Sequence, residues 1–79
     1  MFIDAAAIVA MLSNEAEADR CARALVGASA PFTSAIAVWE AAMALSRPEK
    51  LALPLAICAE IVGRFLEERA IALRELPPA

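Results

Sequence analysis

The chain has 79 residues, of which 62% are hydrophobic and 21 are alanine, with a formal net charge of −3. That size admits one domain with a modest core, and an acidic balance with only seven scattered basic residues excludes tight non-specific nucleic-acid binding by this segment alone. The lack of histidine excludes Ser-His-Asp and Cys-His nucleophilic sites and most transition-metal sites, so any chemistry must run on carboxylates, hydroxyls and hard cations.

Met1-Phe2-Ile3-Asp4 opens as a very short apolar strand ending on an acid. Ala5 to Leu12 follows with helical composition, Ile8, Val9 and Leu12 falling at helical spacing. The first basic residue is Arg20, so no cationic leader region is visible and the chain reads as cytoplasmic. The spacing predicts a second helix, capped by Asn14, with Glu17 returning three residues later as a capping box and Gly27 closing it. Its apolar stripe is Ala18, Cys21, Ala22 and Leu25, while Asp19 and Arg23 form an outward i,i+4 pair.

The uncharged run from Ala24 to Trp39 is shorter than the roughly 18–20 residues of a spanning helix and is interrupted by Gly27 and Pro31. Within it, Pro31-Phe32-Thr33 resembles a second short strand, and Ser34 is placed to cap a helix from Ala35 to about Leu45. That helix is apolar almost all round, which predicts burial on more than one side. Ser46 to Leu53, with Pro48, is a linker; Pro54 suits the first turn of a fourth helix running to about Arg69. Leu55, Cys58, Val62 and Phe65 form its inward stripe, and Glu60, Arg64 and Glu68 lie outside. Ile71 to Leu76 alternates as a third strand, stopped by Pro77-Pro78. Cys21 and Cys58 are too few and too separated for a zinc motif and are expected as small hydrophobes in a reducing compartment.

The order β-α-α-β-α-α-β predicts an α/β fold, in which a short parallel sheet is covered on both faces by right-handed helical crossovers in three α/β/α layers. Ordinary soluble domains are roughly 45–50% apolar, so the excess here calls for cover from further chain or a second molecule.

Charge is informative where it is sparse. Asp4 is the only charged residue among the first fourteen, and Glu40 the only one between Pro31 and Ser46. Buried, an isolated carboxylate either becomes neutral or finds a cation. Asp4 ends a strand, and Glu40 sits two turns into the helix after the next strand. Both are therefore expected near the carboxyl ends of the strands, where such sheets place their sites. Two carboxylates converging there would suit Mg²⁺ or Mn²⁺. Each acid also has a plainer reading: Asp4 caps the helix beginning at Ala5, and Glu40 lies on an exposed stripe. Taken singly, the spacing favours these plainer readings; the pair is what suggests a site.

The opening Phe2-Ile3-Asp4-Ala5-Ala6-Ala7-Ile8-Val9-Ala10-Met11-Leu12, with Asn14-Glu15-Ala16-Glu17 after it, resembles the start of VapC-like PIN domains. So does Thr33-Ser34-Ala35-Ile36-Ala37-Val38-Trp39-Glu40-Ala41-Ala42. The stretch Phe65 to Leu73 is similar to that family's fourth helix running into its third strand. The resemblance covers essentially the whole chain. It implies a Mg²⁺-dependent endoribonuclease toxin, acting on RNA and neutralised by a cognate antitoxin, with Asp4 and Glu40 as the first two metal-binding, catalytic acids. Ser34 is expected as a helix cap and not a catalytic group.

Two departures qualify this. The family commonly has Ser or Thr two residues after the first Asp, where this chain has Ala6. It also draws its remaining acids from elements after the third strand, and Glu60, Glu67, Glu68 and Glu75 are expected on outward faces or at the wrong end of the sheet. Residues 1–79 thus read as a single incomplete PIN-like domain, binding metal weakly and hydrolysing little alone. Partners expected on this basis are a homo-oligomer or a complementing C-terminal fragment, because the family's first strand is central and would present a bare edge. The alternatives are a degenerate, non-catalytic PIN module for oligomerisation or antitoxin binding, and a small helical bundle unrelated to that family.

Overall fold

A computed structural model describes residues 1–75, which form four helices and a short parallel sheet. The helices are α1 (Ala5–Leu12), α2 (Ala18–Val26), α3 (Ala35–Leu45) and α4 (Leu55–Glu68), and the strands β1 (Phe32–Thr33) and β2 (Ala72–Leu73). Phe2 adds a single parallel bridge to Phe32, so β1 lies between the opening segment and β2. The two strands pair in parallel with Phe32 opposite Ala72 and Thr33 opposite Leu73. This is the expected α/β arrangement, and the strand pairing rules out a purely helical bundle. The expected strand residue Leu76 and the stop at Pro77-Pro78 lie outside the described residues.

Local chemistry explains most boundaries. Ser34, extended at φ −117° and ψ 161°, accepts the Ala37 N–H at 3.1 Å and starts α3 where its spacing predicts. Pro54 stands immediately before α4, its fixed φ of −55° leading into the first turn. α4 ends in a Schellman motif: the Ile71 N–H reaches the Leu66 carbonyl at 2.9 Å, and both of these side chains are buried. Ala70 takes the left-handed position of that motif, at φ 53°.

The start of α2 departs from the expectation. Asn14 does not cap it; the helix begins at Ala18, and Glu17 in the capping position makes no side-chain bond. Asn14 instead adopts φ 53°, and the Glu15 N–H bonds the Ala10 carbonyl at 3.0 Å, so the residue closes α1. An asparagine suits both ends of a helix, and here the nearer helix claims it.

Ile8, Leu45, Cys58 and Val62 are fully buried at the centre, where α1, α3 and α4 meet. α3 is buried less widely than its all-round apolarity predicts. Ala37, Ala41, Ala42 and Leu45 face the core, while Ile36 is 69% and Trp39 51% exposed, with Met43 beside them on the same outer stripe. Small alanine side chains let neighbouring helices approach closely, so one face suffices for packing and the bulky residues are left outside. Asp19, Arg23, Glu60, Arg64 and Glu68 are exposed as expected, but the ion pair formed among the described residues is Lys50 with Glu15.

Candidate functional site

Asp4 leaves the opening segment directly after Ile3, whose N–H donates to the Phe32 carbonyl at 2.7 Å. With φ −85° and ψ 169° it takes the capping position of α1, and its Oδ1 accepts the Ala7 N–H at 2.8 Å. The plainer reading of Asp4 as a cap is therefore correct. It leaves Oδ2 without a hydrogen bond among the described residues. No acid or base occupies the first turn of α1, so Asp4 is the anion nearest that helix start.

Glu40 lies on α3, and its carboxylate makes no hydrogen bond or ion pair among the described residues. It borders a cleft of about 470 Å³ between α1 and α3, together with Ala5, Ala6, Glu15, Met43 and Arg47. Both acids are exposed, which corrects the expectation of a buried environment. Two apolar helix faces pack beside them without covering them.

The two acids open on adjoining clefts. Asp4 borders a second one of about 410 Å³ on the α2 side, with Glu15, Glu17, Arg20 and Cys21. Ala6 and Glu15 stand on the border of both clefts. Ala6 thus lies between the clefts of the two candidate acids and offers them only a methyl group.

Glu15 was not singled out by its place in the sequence. Its carboxylate accepts from Lys50 Nζ and from the Ser13 hydroxyl, the latter at 2.8 Å. The Lys50 hydrogen bond, and then that of Ser13, hold its pKa below the usual glutamate value against the opposing effect of desolvation. It therefore stays ionised but is already engaged, and joins the α1–α2 connection to the α3–α4 connection. No local signal could have paired it with a lysine 35 positions away.

Ser34 is buried and caps α3. Glu75 follows β2, past Arg74, whose N–H bonds the Thr33 carbonyl at 2.9 Å. It borders a cleft of about 240 Å³ with Ser34, Ala35 and Ile36. This corrects its expected position: Glu75 lies at the carboxyl end of the sheet, the same end as Asp4. Among the described residues, no three His, Cys, Asp or Glu side chains group closely enough to hold a metal ion.

No curated protein matches the chain. The PIN domain family profile matches residues 1–77. With that match spanning nearly the whole sequence, and with parallel strands joined through helical pairs, this chain belongs to the PIN-domain family, a family of nuclease type.

Proposed function

We propose that the chain is a VapC-like toxin of the PIN family, a Mg²⁺-dependent endoribonuclease in its complete form, with Asp4 and Glu40 as its first two catalytic, metal-binding acids. The observation that carries the reading is the position of these acids: Asp4 at the end of the first parallel segment, and Glu40 on the helix that follows β1. RNA is the substrate, and a cognate antitoxin the regulating partner, in the cytoplasm. Among the described residues no helix is long and apolar enough to cross a membrane.

The donor chemistry fits a hydrated hard cation. Asp4 offers Oδ2 and Glu40 both of its oxygens, since none of the three is engaged among the described residues. Mg²⁺ commonly binds through one or two carboxylates and keeps several waters. When bound, such an ion supplies an acidified water and stabilises charge on the scissile phosphate. Asp4 is fixed in direction by its bond to Ala7, whereas Glu40 is free to turn within its cleft. Glu15, held by Lys50 and Ser13 through Oε2 alone, adds negative potential beside them, and its Oε1 is unbonded among the described residues. Weak binding and slow hydrolysis follow from so few donors.

Mn²⁺ binding by electron paramagnetic resonance, alongside cleavage of a fluorescent RNA, tests the assignment. Asp4→Asn and Glu40→Gln should each abolish binding and any cleavage. Unchanged Mn²⁺ affinity in both variants would remove the basis of the nuclease reading.

A second reading is a non-catalytic PIN module for oligomerisation or antitoxin binding. The outer stripe of α3 favours it, because Ile36, Trp39 and Met43 expose apolar surface together. On this reading, the occupant is a second copy of the chain, a complementing fragment or the antitoxin. Sedimentation velocity decides: self-association weakened by Trp39→Glu supports it, and a monomer that ignores candidate partners counts against it.

A further inference from the structure

We propose that Thr33 is a positioning residue whose hydroxyl couples the two helix starts that lead to Asp4 and Glu40. The inference rests on the reading of those acids as metal-binding groups. Thr33 is fully buried, and its Oγ1 donates to the Ile3 carbonyl at 2.7 Å. A hydroxyl is costly to bury unless bonded, so packing alone would be served equally well by valine.

The reason for the hydroxyl lies in the ladder. Phe32 donates to the Met1 carbonyl at 2.9 Å, and Ile3 donates to the Phe32 carbonyl at 2.7 Å. In a parallel pair the next rung would run from the Ser34 N–H to the Ile3 carbonyl. That rung does not form; the Thr33 side chain takes the carbonyl in its place. The backbone is thereby released at Asp4 and Ser34 together, and each turns out of the sheet to cap a helix. Asp4 Oδ1 holds the Ala7 N–H at 2.8 Å, and Ser34 Oγ holds the Ala37 N–H at 3.1 Å.

Ile3 and Thr33 are the residues immediately before these two caps. The Ile3 carbonyl shares its peptide bond with the Asp4 nitrogen, and Thr33 precedes Ser34 directly. One hydrogen bond thus sets the separation of the α1 and α3 starts. The Arg74 N–H, bonded to the Thr33 carbonyl at 2.9 Å, secures Thr33 from the other side. Loosening the bond should move Asp4 relative to α3 while leaving the centre of α4 undisturbed.

Amide hydrogen exchange on Thr33→Val and Thr33→Ser tests this in the full 79-residue chain. Thr33→Val should speed exchange at Ala7 and Ala37 about tenfold, with Val62 and Phe65 in α4 changing less than about twofold. Thr33→Ser, which keeps the hydroxyl, should restore wild-type rates. Mn²⁺-induced broadening of the Asp4 and Glu40 signals should need about tenfold more metal in Thr33→Val. Wild-type rates at Ala7 and Ala37 in Thr33→Val overturn the proposal, as does uniform acceleration that includes α4. If Mn²⁺ broadens neither acid in the wild-type chain, the metal-site reading fails by itself, and the two amide rates still decide the role of Thr33.

Discussion

Replacing Asp4 by Asn and by Ala separates two roles that one carboxylate combines. As a cap, Asp4 accepts the Ala7 N–H at 2.8 Å, a bond that the Asn side-chain oxygen can also accept. Asn and Asp cap about equally well, whereas Ala leaves the amide without this partner and costs about 1 kcal/mol. Asp4 also places its charge at the start of a helix whose first turn contains no other ionisable group, a favourable dipole interaction of about 0.3–1 kcal/mol at low salt. Asp4→Asn should therefore lose only the dipole part, and that loss should disappear in about 1 M salt, where screening is nearly complete. Asp4→Ala should lose the cap as well, and in a chain of this size about 1 kcal/mol lowers Tm by about 4–8 °C. Urea denaturation at low and high salt gives the stabilities, and Mn²⁺ titration of the same samples gives metal binding. Both variants should lose metal, but only Asp4→Ala should remain destabilised at high salt. Equal destabilisation of the two at high salt, or none in Asp4→Ala, would refute the cap; retained metal binding in Asp4→Asn would refute the second role.

Other outcomes follow from the same geometry. Gly63 sits inside α4, and apart from its chain neighbours and the adjacent backbone of its own helix no atom lies within 4 Å of the place a Cβ would occupy, so Gly63→Ala should stabilise by about 0.5–1 kcal/mol and raise Tm by calorimetry. Leu45 is fully buried among α1, α3 and α4, and Leu45→Ala should cost about 2–5 kcal/mol, enough to populate unfolded chain visible by circular dichroism. Glu15 has a depressed pKa, so its stabilising contribution is complete above the unfolded value and is lost as pH falls through the lower folded value. Denaturation curves between neutral and acidic pH should therefore flatten on the acid side in Glu15→Gln, and an unchanged acid limb would argue against the Lys50 pairing as its cause.

Several features were legible because their causes are local. Ser34 and Pro54 act within a turn of their own positions, and α3 and α4 begin where those residues place them. The inward stripe of Cys58, Val62 and Phe65 was readable for the same reason, since a helical period fixes which side chains share a face. Asn14 shows the limit of local signals. It could start one helix or end another, and the choice was made by the Glu15 N–H reaching back to Ala10. α3 shows a different limit: its apolarity counts residues, whereas packing responds to volume and neighbours, so Ala37, Ala41 and Ala42 went inward and Trp39 outward.

The sequence by itself determined the caps at Asp4 and Ser34, the order of the elements and the isolation of Asp4 and Glu40 from other charges, all of which follow from neighbours a few residues apart. The tertiary structure alone decided that both acids are exposed on adjoining clefts, that Glu75 shares the carboxyl end of the sheet, that Glu15 is held by Lys50, and that Thr33 reaches the Ile3 carbonyl. Those contacts join residues that a linear pattern leaves unrelated, because their partners are chosen by how helices and strands pack and not by spacing along the chain.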